Sequence, residues 1–129
     1  MTENIALVLV VDDDEDIREL LKVFLEAEGY RVNVAIDGVD AWEQIQKGEV
    51  PAVILLDLMM PRMDGEQFLK KLRASRFPKV AVVVLSGNDA VYKKAKELNA
   101  NCFLMKPVEF DVLVNTVRRF APVHSKTVL

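Results

Sequence analysis

The chain has 129 residues, 51% of them apolar, with 17 Lys plus Arg against 20 Asp plus Glu for a net charge of −3. That length suits one domain of about 100–150 residues, and the apolar content with low net charge excludes a disordered chain. One cysteine, Cys102, and one histidine, His124, exclude an internal disulfide and leave any metal to carboxylate ligands, so a reducing compartment is expected.

At the N-terminus, Met1-Thr2-Glu3-Asn4 lacks the basic region of a secretion signal. The longest apolar run is too short to span a bilayer, and the mild acidity argues against nucleic-acid binding by this domain. A soluble, cytoplasmic domain without membrane contact is expected.

Leu7–Val11 predicts the first strand as a continuous apolar run. The acidic run Asp12-Asp13-Asp14-Glu15-Asp16 then opens a helix in which Ile17, Leu20, Leu21, Phe24 and Leu25 recur at three- and four-residue spacing, and Gly29 stops it. Arg31–Ala35 alternates polar and apolar residues, which marks an edge strand. A second helix presents Ala41, Trp42 and Ile45 after Asp37-Gly38. Ala52–Leu56 is a buried strand, and the next helix starts near Asp64 and presents Phe68, Leu69 and Leu72. Val80–Leu85 predicts the fourth strand, Val91, Ala95 and Leu98 the fourth helix, and Cys102–Met105 the fifth strand. Leu113, Val117 and Phe120 line the last helix, with Pro107 at its first position. Residues 1–120 form the domain, and 121–129 read as a tail or the start of a linker.

This alternation predicts an α/β fold with a parallel sheet. Placing the alternating strand outside the first gives the order 2-1-3-4-5, a flavodoxin-like doubly wound (βα)5 arrangement with helices on both faces. Its crevice lies between strands 1 and 3, at their carboxyl ends.

The residues that follow each strand converge on that edge: Asp12 and Asp13 after strand 1, Asp57 after strand 3, Ser86 after strand 4 and Lys106 after strand 5. Each also has an ordinary explanation. Acids favour a helix start, which accounts for Asp14, Glu15 and Asp16, but only one residue can be the N-cap, so at least one of Asp12 and Asp13 is surplus. Asp57 lies too far from the next helix to cap it, and a carboxylate closing an apolar run is costly without a partner. Ser86-Gly87-Asn88-Asp89 is turn and N-cap chemistry. Lys106 would cap the last helix, a role lysine fills poorly.

Clustered carboxylates resist joint ionisation unless a cation sits among them, and an oxygen-only ligand set completed by water suits Mg²⁺. A metal-bound carboxylate beside a lysine and a hydroxyl is suited to accept a phosphoryl group as an aspartyl phosphate, with the cations neutralising the phosphoryl oxygens. No glycine-rich phosphate loop follows strand 1, which counts against a dinucleotide or P-loop site.

At these residues the chain resembles the receiver domain of bacterial two-component response regulators, of the chemotaxis-regulator kind, from about Ile5 to Phe120. The matching segments are Val10-Val11-Asp12-Asp13, Asp57-Leu58-Met59-Met60-Pro61-Arg62-Met63-Asp64-Gly65, Leu85-Ser86-Gly87 and Phe103-Leu104-Met105-Lys106-Pro107. The resemblance implies that Asp57 takes a phosphoryl group from a histidine kinase or histidine phosphotransfer protein. It implies Mg²⁺ held by Asp13, Asp57 and the main-chain carbonyl of Met59, with Asp12 acting through a metal-bound water. Lys106 would pair with a phosphoryl oxygen, after a cis peptide to Pro107. Ser86 would hydrogen-bond the phosphoryl group and Phe103 would rotate into the space behind it, altering a helix 4–strand 5–helix 5 face that controls an effector protein or domain. The only catalysis implied is the chain's own phosphorylation and dephosphorylation.

The family also includes receivers that homodimerise on activation, although Asn99-Ala100-Asn101-Cys102 and the last helix lack the acidic and arginine pattern of those that dimerise through this face to bind DNA. Two competing readings remain. One is an interaction module of the same fold that works without phosphate. The other is a Mg²⁺-dependent aspartyl phosphohydrolase, whose second Asp would stand where Met59 does.

Overall fold

The computed structural model describes residues 5–58, 65–88 and 90–123. Five strands and five helices alternate: β1 Leu7–Val11, α1 Glu15–Ala27, β2 Arg31–Ala35, α2 Gly38–Lys47, β3 Val53–Asp57, α3 Gly65–Arg73, β4 Ala81–Ser86, α4 Ala90–Glu97, β5 Cys102–Met105 and α5 Phe110–Phe120. All four strand pairings are parallel, in the order β2-β1-β3-β4-β5. The chain therefore has the expected flavodoxin-like arrangement, with the alternating strand β2 at one edge.

Strand side chains alternate between faces, so the sheet divides its apolar residues between two helical layers. Leu9, Val11, Ile54, Leu56, Val82 and Val84 face α2, α3 and α4, which contribute Ala41, Ile45, Phe68, Leu69, Leu72 and Ala95. Val8, Val10, Val53, Leu55, Val83 and Leu85 face α1 and α5, which contribute Leu25, Leu113, Val114 and Val117. The three central strands are covered on both sides, and their continuous apolar sequence reflects that.

Several local boundaries differ from the sequence reading. β3 and β4 each begin and end one residue later than the expected Ala52–Leu56 and Val80–Leu85, because Asp57 stays in register with Leu85 and Ser86 with Met105 while Ala52 and Val80 precede the ladder. Both site residues therefore close their strands rather than follow them. Asp14 is the N-cap of α1, accepting hydrogen bonds from the main-chain N–H groups of Asp16 and Ile17, so neither Asp12 nor Asp13 is used for capping. Pro107 is not the first residue of α5. The helix begins at Phe110 after Glu109, so Lys106 caps nothing. The predicted stop at Gly29 is observed, with φ of +103° just past α1. Asp64, where the third helix was expected to begin, lies outside the described residues, as do 124–129.

Past α5, Ala121 is buried and its carbonyl accepts a hydrogen bond from the Tyr30 hydroxyl at 2.5 Å. Burial raises the Tyr30 phenol above its ordinary pKa of 10.0, opposed by Arg118 and assisted by Glu28. The folded phenol thus keeps its proton to higher pH than the unfolded one. The stability this contributes is complete below pH 10.0 and declines as pH rises through the folded value. Tyr30→Phe is expected to cost about 1 kcal/mol at neutral pH through the lost hydrogen bond. It should also flatten the alkaline decline, which urea unfolding at neutral and alkaline pH will show.

Candidate functional site

The carboxyl ends of β1 and β3 bring Asp12, Asp13 and Asp57 together, with one carboxylate oxygen from each within 4.8 Å of the others. Asp12 and Asp57 are buried and Asp13 is exposed. The local backbone holds Asp12 in place: its side chain accepts from the main-chain N–H of Asp14 at 2.9 Å, its own N–H donates to the Ala35 carbonyl, and its carbonyl accepts from Arg18 at 2.8 Å. Arg18 reads from sequence as part of the polar face of α1. Its role on the Asp12 carbonyl left no trace there, because a main-chain acceptor carries no residue-type signal.

Lys106 directly follows β5, at the far edge of the sheet. Its main-chain N–H donates to the Ser86 carbonyl at 2.8 Å, its peptide to Pro107 is cis as expected, and its ammonium lies 3.3 Å from Asp12 and 3.6 Å from Asp57. Burial acts to lower the pKa of this ammonium, but the charges of Asp12 and Asp57 and the hydrogen bonds to them outweigh it, so it lies above the ordinary lysine value. Lys106 is therefore cationic throughout the physiological range.

Ser86 is 1% exposed, and its hydroxyl accepts from the main-chain N–H of Asn88 at 3.1 Å. Strand parity puts Ser86 on the same sheet face as Val82 and Val84, and Phe103 packs against that face, paired with Val84 in register. Ser86 and Phe103 are thus neighbours on adjacent strands. The Phe103 ring also meets Tyr92 edge-on, with centroids 5.3 Å apart. Met59, expected to supply a main-chain carbonyl, lies outside the described residues.

One lysine offsets one of three converging carboxylates. Two of the three are buried, and the site keeps an excess of negative charge that a bound cation would offset. Oxygen-only donors fit a hard divalent ion, and the Asp12–Asp13–Asp57 cluster could hold one.

Gly65 closes the same site from α3. A Cβ there would lie 2.4 Å from the Asp57 carbonyl oxygen and 2.5 Å from the Leu58 Cα, both backbone atoms that cannot swing aside. In the sequence Gly65 is one residue of a motif; in the fold it permits the close approach of α3 to the end of β3. Gly65→Ala is expected to destabilise the fold by about 1–3 kcal/mol, the usual cost of overpacking. Urea midpoints check this, and weaker divalent-ion binding should accompany it because the clash falls on the Asp57 backbone.

Comparison with known proteins agrees with this geometry. A family model described as the response regulator receiver domain matches residues 8–118. Response regulator Rre1 of Synechocystis is 38% identical over 122 residues, covering 92% of this chain and 52% of Rre1. Response regulator MprA of Mycobacterium ulcerans is 37% identical over 113 residues, covering 86% of this chain and 48% of MprA. The chain thus spans about half the length of these curated relatives. Among solved structures, chemotaxis protein CheY4 of Vibrio cholerae is similar with a TM-score of 0.83 at 32% identity, covering 91% of this chain and 99% of that one. Motifs, strand order and relatives converge, and the chain belongs to the response regulator receiver domain family.

Proposed function

We propose that this domain is a phosphorylation-switched signalling module whose acceptor is Asp57. The observation that carries the reading is the Lys106 ammonium set between Asp12 and Asp57 inside a three-carboxylate cluster. The donor is a phosphohistidine on a histidine kinase or histidine phosphotransfer protein. An Asp57 carboxylate oxygen attacks phosphorus and forms the new P–O bond, while the P–N bond breaks and its electron pair returns to the imidazole.

Asp12, Asp13 and Asp57 would hold Mg²⁺, which supplies charge neutralisation for the phosphoryl oxygens. Lys106 pairs with one phosphoryl oxygen from its position beside Asp57. Ser86 turns its hydroxyl from the Asn88 N–H toward the phosphoryl group, and Phe103 moves into the space behind it. The α4–β5–α5 face then presents a changed surface to an effector protein or domain. Catalysis is confined to the chain's own phosphorylation and dephosphorylation. The free thiol of Cys102 accords with a cytoplasmic location. Among the described residues no helix is long and apolar enough to cross a membrane.

Acetyl phosphate with Mg²⁺ is expected to add one phosphoryl group to the intact protein, located on Asp57 by fragment mass spectrometry. An unchanged intact mass overturns the reading.

A further inference from the structure

Lys106 directly follows β5, so its reach to Asp12 and Asp57 depends on where that strand sits. Burial fixes β5 poorly. It has four residues, pairs only with β4 at the edge of the sheet, and alone among the described strands has no buried residue. Register is weakly specified where little is buried, and a slip by two residues would carry Lys106 about 6–7 Å along the strand, enough to break both contacts.

Side chains hold the amino end of β5 instead. The main-chain N–H of Asn101, just before the strand, donates to the Val82 carbonyl at 2.8 Å. Its side-chain oxygen accepts from the Val82 N–H, also at 2.8 Å, so a side chain extends the ladder between β4 and β5. The same oxygen accepts from Arg73, the last residue of α3, at 3.0 Å. Arg73 also donates twice to the Asn99 carbonyl, at 2.8 and 3.2 Å, and to the carbonyls of Pro78 and Val80 at 3.1 and 2.7 Å. These five hydrogen bonds match the five N–H groups of a guanidinium, whose rigid fork lysine cannot reproduce. One side chain thus ties the end of α3 to the entries of β4 and β5. At its other end α3 starts at Gly65 against the Asp57 backbone, so the helix spans from the acceptor to this clamp.

We propose that Arg73 is a positioning residue for phosphoryl transfer: with Asn101 it fixes the register of β5 and thereby holds the Lys106 ammonium beside Asp57. Arg73 touches no reacting group and acts only through Lys106. Its role in transfer rests on the proposed acceptor role of Asp57, whereas the pinning of β5 stands on the hydrogen bonds alone.

Arg73→Lys keeps the cation and loses the fork, and Arg73→Gln removes both. The carbonyls left behind belong to exposed or half-buried residues, where water replaces the guanidinium, so both variants are expected to fold. Phosphorylation by acetyl phosphate at saturating Mg²⁺ should slow about tenfold in Arg73→Gln, with little recovered in Arg73→Lys. Mg²⁺ affinity should stay unchanged, because the three carboxylates come from the ends of β1 and β3. A double-mutant cycle separates positioning from a merely structural role: in a Lys106→Met background, Arg73→Gln should slow labelling no further. An equal loss in both backgrounds, full rescue by Arg73→Lys, or a matching loss of Mg²⁺ affinity overturns the proposal.

NMR of the unphosphorylated protein tests the pin separately. In Arg73→Gln the amide signals of residues 102–106 should lose intensity through exchange broadening, while those of Val10 and Leu55 in the central strands stay sharp. Signals from β5 as sharp as in the parent, or broadening shared by Val10 and Leu55, overturn the pinning. A parent that takes up no phosphoryl group overturns the Asp57 reading and the role in transfer with it, and the NMR result then decides the pin alone.

Discussion

Asp57→Asn is expected to lose all phosphoryl uptake from acetyl phosphate while the protein stays folded. The amide matches the carboxylate in shape but lacks the anionic nucleophile. Its effect on stability depends on the divalent ion. Without Mg²⁺ the substitution removes one of three carboxylates whose oxygens lie within 4.8 Å of one another, and with it the 3.6 Å contact to Lys106. Lost repulsion and lost attraction oppose each other, so the variant should melt close to the parent. With Mg²⁺ the two separate: a ligand at 100 times its dissociation constant stabilises the folded state by about 2.7 kcal/mol. The parent should gain this, and the variant, short of one ligand, should gain much less. Thermal melts of both proteins with and without Mg²⁺, paired with intact mass, provide the check. Equal Mg²⁺ stabilisation would remove Asp57 from the ligand set, and labelling that survives in the variant would move the acceptor elsewhere.

Phe68→Ala should have the largest effect on stability. The ring is fully buried beneath α3, between that helix and the sheet face formed by Leu9, Ile54, Leu56 and Val82. Truncating a buried phenylalanine costs about 3–5 kcal/mol through lost transfer energy and the cavity left behind. Against a total stability of about 5–15 kcal/mol, this lowers the melting temperature by roughly 10–20 °C. Phe68→Leu refills most of the volume and should recover more than half of the loss. Because α3 begins at Gly65 against the end of β3, the same cavity loosens the backbone behind Asp57. Phe68→Ala should therefore weaken Mg²⁺ binding as well, measurable by titration at a temperature where the variant is still folded.

The elements were legible because their signals are local. β1, β2 and β5 begin and end where their apolar runs do, and α1 stops at Gly29 as its spacing requires. The strand order was legible for the same reason: Arg31–Ala35 alternates because one edge of β2 has no neighbour, while β1, β3 and β4 are covered on both faces. The candidate site was legible as a set of residue types at strand ends.

The roles within that set were less so. The argument for Lys106 from poor capping does not hold, since α5 begins at Phe110; its place is decided by pairing between β4 and β5. The capping argument for the acidic run left at least one of Asp12 and Asp13 over; Asp14 takes that position, so both are left.

By itself, the sequence determined the alternation of strands and helices, the edge position of β2, the family and the supply of three carboxylates, a hydroxyl and an ammonium. Each follows from periodicity or residue type within a few turns of chain. Only the tertiary structure decided that Lys106 reaches Asp12 across 94 residues, that Asp57 and Ser86 end inside their strands, that Gly65 must lie against the Asp57 backbone, and that Arg73 ties the end of α3 to the entry of β5. Those facts depend on register between strands and on where each helix packs against the sheet. Hydrogen bonding and packing between distant segments set both, and neither leaves a mark on neighbouring residues in the chain.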